Sequence, residues 1–425
     1  MQISFFDGNK KFKIDKPIRL IELFAGIGSQ AKALKNLGVD FEHYRICEFD
    51  KYAVQSYNAV HGTNFQTSDI TKITANDLGI VDTDKYCYIM TYSFPCVDLS
   101  NAGKQAGMAK GSGTRSGLLW EVERLLDKCV ELPQVLLMEN VPQVIGQGNI
   151  EHFAKWQEKL ESLGYKNKWQ ILNAKDFGIP QNRERCFMIS ILGDYYYEFP
   201  KTIPLTLSLK DMLATNVDEK YYLSDKDVER ISKWNAQQDP LKGIEKEKTI
   251  SPCSQARGAG EEHSGMVLIS EPQVLGGIGE KKSNGGTQWY LQDRIYDNNV
   301  ATSICTAFNP YYVEPCAIDE QNNNKVLVWD GYNQQIRVDS SVVGTLTRNC
   351  GSDLKRNGQG IIELVKNKLI RIRKLTPREA WRLMGFEDKD IDNAIAIGMS
   401  NAQLYKQAGN SICVPVLENI FKMMI

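Results

Sequence analysis

The sequence predicts an α/β protein: a parallel, doubly wound sheet with helices on both faces, followed by a second, smaller β-rich domain. Three observations carry this reading. Between residues 18 and 190, short apolar runs alternate with amphipathic stretches of helical length, the pattern of repeated β-α units. From about 195 to 370 the texture breaks into short β-like pieces separated by glycine- and asparagine-rich turns such as "GGIGEKKSNGGTQW" and "RNGQG". From 371 onward helical patterning returns.

The elements follow in order. "IRLIELF" reads as a strand and "SQAKALKNLG" as its helix; "YRICEF" is followed by "KYAVQSYNAVHG", and "YCYIMTYSF" by "GLLWEVERLLDKCVE". "QVLLMENV" then precedes "IEHFAKWQEKLESLGY", and "RERCFMISIL" closes the series. A helix between two strands returns the chain to the same end of the sheet, so such strands run parallel. In "TPREAWRLMGF", Pro377 sits near a helix start, where its missing N–H costs nothing. "AGNSICVPVLENIFKMM" reads as an apolar helix that packs back on the core. The expected divisions are 1–195, 196–370, 371–400 and 401–425.

Composition narrows the class without naming the function. The chain has 425 residues, 42% hydrophobic and 24% charged, as in an ordinary soluble protein. Its 10 cysteines are scattered singly with no C-x-x-C pair, so neither a metal site nor a disulfide framework is expected, and a reducing cytosol suits them. No signal peptide or membrane-length apolar segment is visible. With 51 basic and 52 acidic residues the chain is not built to coat nucleic acid, although a local basic cleft remains open.

Two constellations point to chemistry. In "LFAGIGSQA", Gly26, Gly28 and Ala31 fit G-x-G-x-x-[G/A] between a strand and a helix, where backbone N–H groups approach a nucleotide. Glu48, at the next strand end and 20 residues past Gly28, is placed for a ribose diol; Asp69, after a third strand-sized interval, for an adenine amino group. An ordinary tight turn remains the alternative, and the pattern does not separate a nicotinamide cofactor from S-adenosylmethionine. The second constellation is "TYSFPCVDLSNAGKQAGM". Pro95 stops a fourth strand and seats Cys96 on a stiff turn at the carboxyl edge, where open α/β sheets bind ligands. A lone cysteine is more often a small buried hydrophobe. Against that stand its position, the glycine-rich stretch after it, and the partners further on: Glu139 and Asn140 in "LLMENVPQ", and Arg183 and Arg185 at alternate positions in "IPQNRERCFMI". Each of those charges, taken singly, also fits a solvated surface.

The ordered set "LFAGIGSQ", "SFPCVDLSNAGKQAG", "GLLWE", "MENV", "IPQNRER", "RKLTPREAWRLMGF" and "AGNSI" resembles the DNA (cytosine-5)-methyltransferase family of bacterial and phage type. The resemblance spans residues 18 to 195 and 371 to 420. It implies a Rossmann-like, S-adenosylmethionine-dependent methyltransferase domain over 1–195 and a target-recognition domain over 196–370. It further implies a hinge with an associated helix over 371–400 and a C-terminal helix over 401–425 that returns to the catalytic domain. The family's cofactor residues fall on Phe24, Ala25, Gly26, Gly28, Glu48, Phe49, Asp69, Ile70, Pro95, Leu119, Asn410 and Ser411. Its nucleophile falls on Cys96, its base-N3 residue on Glu139, and its Q-x-R-x-R pair on Arg183 and Arg185, with Arg185 at the cytosine O2.

Cytosine C5 is too electron-poor to take a methyl group directly, and thiolate addition at C6 cures that, so a cysteine is the sensible nucleophile. The base must leave the duplex stack to be reached. Gly103, Gly107, Gly111 and Gly113 then read as a loop able to cover the flipped base, with Lys104, Lys110 and Arg115 facing phosphates or simply solvent. The chain departs from its relatives at Val97, where most carry glutamine after the cysteine. Specificity is expected between about 200 and 368, with Thr345 and Leu346 as the end-of-domain Thr-Leu pair and Arg257, Arg348, Lys355 and Arg356 as DNA contacts. The implied partner is double-stranded DNA, met by a monomer in a bacterial or phage-infected cytoplasm, with or without a cognate restriction endonuclease. An RNA-acting relative, a catalytically silent DNA-binding regulator and a nicotinamide oxidoreductase are the competing classes. The large middle region opposes the first, the intact Cys96, Glu139 and Arg185 the second, and the pairing of Pro95-Cys96 with Glu139 the third.

Overall fold

The computed structural model describes residues 10–96, 98–99, 107–222 and 373–425, together with the backbone of nine short strands between 276 and 371. The chain divides into two compact units. One is Met1–Leu207 with Ser303–Thr306 and Pro377–Ile425; the other is Ser208–Thr302 with Ala307–Thr376.

The first unit is built on a six-stranded sheet. Its strands are β1 (Ile18–Leu23), β2 (Phe41–Cys47), β3 (Cys87–Tyr92), β4 (Val135–Asn140), β5 (Tyr165–Asn173) and β6 (Glu184–Leu192), in the order β2-β1-β3-β4-β6-β5. Helices α1 (Ser29–Asn36), α2 (Lys51–His61), α3 (Leu119–Leu126) and α4 (Ile150–Ser162) make the connections. Strand alternation sends Ile21 and Leu23 to one face, into a core with Tyr88, Met90, Tyr92, Leu136 and Met138 that α3 and α4 cover through Val122, Leu125, Phe153 and Trp156. Glu22, between them, faces the other way and takes hydrogen bonds from α1 and α2.

Register is what positions the site. Leu23 pairs with both Cys47 and Tyr92, and Tyr92 with Met138, all in parallel. Three strands therefore end in one row, with β4 running on two residues further, and the segments that follow them emerge at one carboxyl edge.

Two expectations are corrected. The sheet is mixed rather than all parallel: β6 runs antiparallel to β4, and β5 antiparallel to β6. The segment from 174 to 183 between β5 and β6 is too short for a helical crossover, so the chain can only turn back on itself. β5 itself, "YKNKWQILN", lacks the apolar run used to find the other strands, because it is an edge strand whose side chains are half exposed. Secondly, the interval before Asp69 is not a strand. The Asn58 side chain occupies both the N–H and the carbonyl of Phe65, at 2.8 and 2.9 Å, which removes the groups a strand would give a neighbour. Cys96 thus follows the third strand of the chain's β-α series, not a fourth.

The C-terminal part of this unit is helical: α5 (Pro377–Arg382), α6 (Asp388–Ala396), α7 (Asn401–Asn410) and α8 (Val414–Lys422). The expected single closing helix is two, because Pro415 is tolerated only in a first turn, so α8 must begin just before it. α8 packs on α1. Lys32 of α1 and Asp390 of α6 form an ion pair at 2.9 Å, each side chain almost wholly buried. The second unit contains four antiparallel strands, β7 (Leu327–Gly331), β8 (Gln335–Val338), β9 (Gly360–Val365) and β10 (Lys368–Arg371), in the spatial order β8-β7-β9-β10.

Trp156 is fully buried, edge-on to Tyr92, and its indole N–H donates to the Tyr92 hydroxyl at 3.0 Å. Trp156→Ala is expected to cost about 3–5 kcal/mol in denaturant unfolding; a loss below about 1 kcal/mol would show that α4 is not held by this contact.

Candidate active site at the carboxyl edge of the sheet

Cys96 lies four residues beyond the end of β3, on a turn that is fastened from two sides. Ahead of it, the Asn140 side-chain amide at the end of β4 donates to the Phe94 carbonyl at 2.9 Å, and the Ser116 hydroxyl donates to the Pro95 carbonyl at 2.7 Å. Behind it, the Leu99 N–H donates to the Cys96 carbonyl at 3.0 Å. Proline offers no N–H, so its carbonyl is the one backbone group by which that residue can be held. The cysteine is partly buried and unbridged, packed against the apolar core of its sheet face.

Glu139 occupies the next strand end in the row. It is nearly buried, and its carboxylate meets the Arg185 guanidinium at 3.2 Å. Burial raises the Glu139 pKa above the usual carboxyl value, while Arg185 and then Arg183 pull it back. Burial likewise raises the Cys96 thiol; Arg185 and Arg183 oppose this and Glu139 adds to it. The four residues therefore form one electrostatic cluster. Within it the two arginines differ: Arg183 donates to the carbonyls of Gly409 and Ser411, at 3.2 and 2.7 Å, so it also holds the end of α7. Such a cluster can present a thiol, a proton donor and a cation to one flat ring.

Beside it lies the turn from β1 into α1. Phe24, Gly26 and Gly28 all adopt positive φ, at 58°, 56° and 79°. A Cβ at Gly26 would meet nothing within 4 Å, so open space stands over the turn, whereas one at Gly28 would lie 2.3 Å from His61 Nε2. Ala25 is buried. Glu48, just past β2, accepts from the N–H of Gly26 at 2.9 Å and of Asp50 at 2.8 Å, bracing the turn. A carboxylate has about four acceptor positions, so the diol of a ribose can still be met. Phe49 next to it is 78% exposed, an apolar ring with no protein cover. Asp69 is held by the N–H and hydroxyl of Thr71, at 3.0 and 2.8 Å, and Ile70 is buried behind it. An open backbone cradle, a carboxylate at its rim and an uncovered aromatic ring fit a nucleoside.

Other expected residues are placed differently. Leu119, the first residue of α3, is fully buried in the core. Asn410 is exposed at the end of α7, and Ser411 is buried with its hydroxyl on the Gln407 carbonyl at 2.8 Å. Lys110 is engaged by Glu123 and stands over the Trp120 ring at 5.4 Å; Arg115 is exposed. Val97, Gly103, Lys104, Arg257, Leu346, Arg348, Lys355 and Arg356 lie outside the described residues, and Thr345 is described only as backbone at a strand end. Among the described residues no group of three His, Cys, Asp or Glu is placed to hold a metal ion, and no helix is long and apolar enough to cross a membrane.

Several supporting residues escaped the sequence reading. Glu22 accepts from the Tyr57 hydroxyl at 2.6 Å and the Ala31 N–H at 3.3 Å, and His61 Nε2 donates to the Ile27 carbonyl at 3.0 Å, so all three residues brace the glycine turn from behind. Burial pushes Glu22 up to about 7. A glutamate inside "IRLIELF" was the available signal; the reach of Tyr57, His61 and Ser116 had none in the sequence.

Comparison with known proteins agrees with this geometry. Residues 18–425 match the family of C-5 cytosine-specific DNA methylases. The type II methyltransferase M2.ScrFI of Lactococcus lactis subsp. cremoris is 31% identical over 458 residues, covering 95% of this chain and 98% of the relative. The orphan methyltransferase M.SPBetaI of Bacillus phage SPbeta is 27% identical, with 96% and 97% covered. Among solved structures, the S. pombe Dnmt2 methyltransferase shares the fold with a TM-score of 0.57 at 16% identity, covering 96% of this chain and 98% of its own. The chain belongs to the C-5 cytosine-specific DNA methylase family and is a DNA cytosine-5-methyltransferase.

Proposed function

We propose that the protein methylates C5 of a flipped-out cytosine in a specific duplex sequence through a covalent bond between Cys96 and C6. The observation that carries this reading is the fastened Cys96 turn beside the Glu139–Arg185 pair. Glu48, Phe49 and Asp69, with the Phe24–Gly28 turn, would hold S-adenosylmethionine, which would supply an electrophilic methyl group there.

The chain's own residues carry the steps. Cys96 gives its proton to solvent water as the base arrives, and the guanidinium groups of Arg185 and Arg183 lower the cost of the thiolate. Sγ bonds to C6, and Glu139, whose carboxyl burial raises above its ordinary value, gives a proton to N3. Arg185 meets the charge at O2. The C5 carbon, now nucleophilic, takes the methyl group and S-adenosylhomocysteine leaves; solvent water then takes the C5 proton, the C5–C6 double bond re-forms as Sγ departs, and N3 returns its proton to Glu139. Target choice falls to residues 196–370, in the major groove. The type II and orphan relatives suit a role in restriction-modification, phage protection or stand-alone marking.

Expression in a host without cytosine methylation, followed by a cytosine methylome, is expected to reveal 5-methylcytosine in one short sequence context. Cys96→Ser is expected to reduce it to background while DNA binding persists; wild-type methylation by that variant would refute the covalent route. Alkylation of Cys96 by iodoacetamide should rise with pH through a midpoint above the ordinary thiol value of about 8.5. Arg185→Ala should move the midpoint higher, because a thiolate-stabilising cation is lost; an unchanged or lower midpoint would deny Arg185 that influence. Gly28→Ala, which forces a side chain onto His61 at positive φ, should weaken calorimetric binding of S-adenosylhomocysteine by about tenfold or more. Unaltered affinity would mean that the turn does not hold the nucleoside.

A further inference from the structure

Ser116 uses two of its groups on the two sides of the cysteine. Its hydroxyl donates to the carbonyl of Pro95, one residue before Cys96, at 2.7 Å; its N–H donates to the carboxylate of Asp98, two residues after, at 3.1 Å. Ser116 is fully buried and opens the 3-10 turn Ser116–Leu118 that runs into α3, whose Leu119, Val122 and Leu125 are locked in the core. The same Asp98 accepts on its own carbonyl from the N–H of Gly107 at 3.0 Å, and the Gly107 carbonyl accepts from the Thr114 hydroxyl at 3.0 Å. Chain leaving the cysteine and chain returning to α3 are thus tied together at Asp98.

We propose that Asp98 and Ser116 form a clamp that positions Cys96, fixing the turn so that Sγ addresses the ring held by Glu139 and Arg185. The proposal rests on Cys96 being the nucleophile and adds the residues that aim it. Without the clamp the turn keeps the Asn140 tie to Phe94, the Leu99 tie to Cys96 and the Gly107 tie to the Asp98 carbonyl, but among the described residues no hydrogen bond then joins it directly to the start of α3. A displacement of about 1 Å at a reacting atom can cost about a hundredfold in rate. A carboxylate beside the first N–H of a helical turn also serves as a cap. Capping alone acts on stability, so rate and stability separate the two roles.

The test uses the full-length protein and DNA in which 5-fluorodeoxycytidine replaces deoxycytidine throughout, so no target sequence need be known. With S-adenosylmethionine present, the C5 substituent cannot leave as a proton and the protein is captured covalently. Capture rate, DNA affinity and melting temperature are measured for each variant. Asp98→Ala is expected to slow capture by about tenfold or more with DNA affinity within about twofold of wild type, and Asp98→Asn, which keeps an accepting oxygen, to recover most of the rate. Ser116→Ala, which retains the N–H but loses the bond to Pro95, should slow capture similarly and serves if Asp98→Ala does not fold. Capture by Asp98→Ala or Ser116→Ala at the wild-type rate overturns the clamp, as does slowing matched by an equal loss of DNA affinity. Failure of the wild type itself to be captured would instead sink the covalent reading of Cys96.

Discussion

Everything placed at this site depends on the parallel register of four strands. Cys47, Leu23, Tyr92 and Met138 lie in one row across β2, β1, β3 and β4. Each is followed, within one to four residues, by a group the proposed chemistry uses: Glu48, the Phe24–Gly28 turn, Cys96 and Glu139. A shift of one residue in any pairing would turn a strand's side chains to the opposite face and carry its following segment along the edge. The register is therefore set by the buried apolar faces of the sheet, and the site inherits its geometry from them.

The chemistry is then a matter of competing influences at short range. Burial alone pushes both the Cys96 thiol and the Glu139 carboxyl up. Two cations bring both part of the way back, and only one of them, Arg185, meets the Glu139 carboxylate directly. Arg183 works from a position also used to hold the Gly409 and Ser411 carbonyls, so the C-terminal helices are joined to the electrostatics of the site. The Lys32–Asp390 pair adds a further buried link between these helices and the nucleotide-turn side of the sheet. Breaking such a pair on one side leaves an uncompensated charge in the interior.

Much of the first unit was legible because strand and helix periodicities are local. The apolar strands, their helices and the strand-end positions of Glu48, Cys96 and Glu139 follow from short windows of sequence. β5 was missed because an edge strand need not be apolar, and the interval before Asp69 misled because strand length without a partner is not a strand: the Asn58 side chain had taken the Phe65 backbone groups. The closing apolar stretch was seen, but its division at Pro415 was not.

By itself, the sequence determined the order of the apolar strands and their helices, the family, and which residue types stand at the strand ends, since each depends on composition and spacing along the chain. Only the tertiary structure decided the antiparallel edge of β6 and β5, the two directions of Arg183, and the bridging of Pro95 and Asp98 by Ser116. These depend on hydrogen-bond partners up to some 228 residues apart, and such partners are chosen when the faces of the sheet are packed. A motif names the groups that can react, while packing sets the distances at which they do.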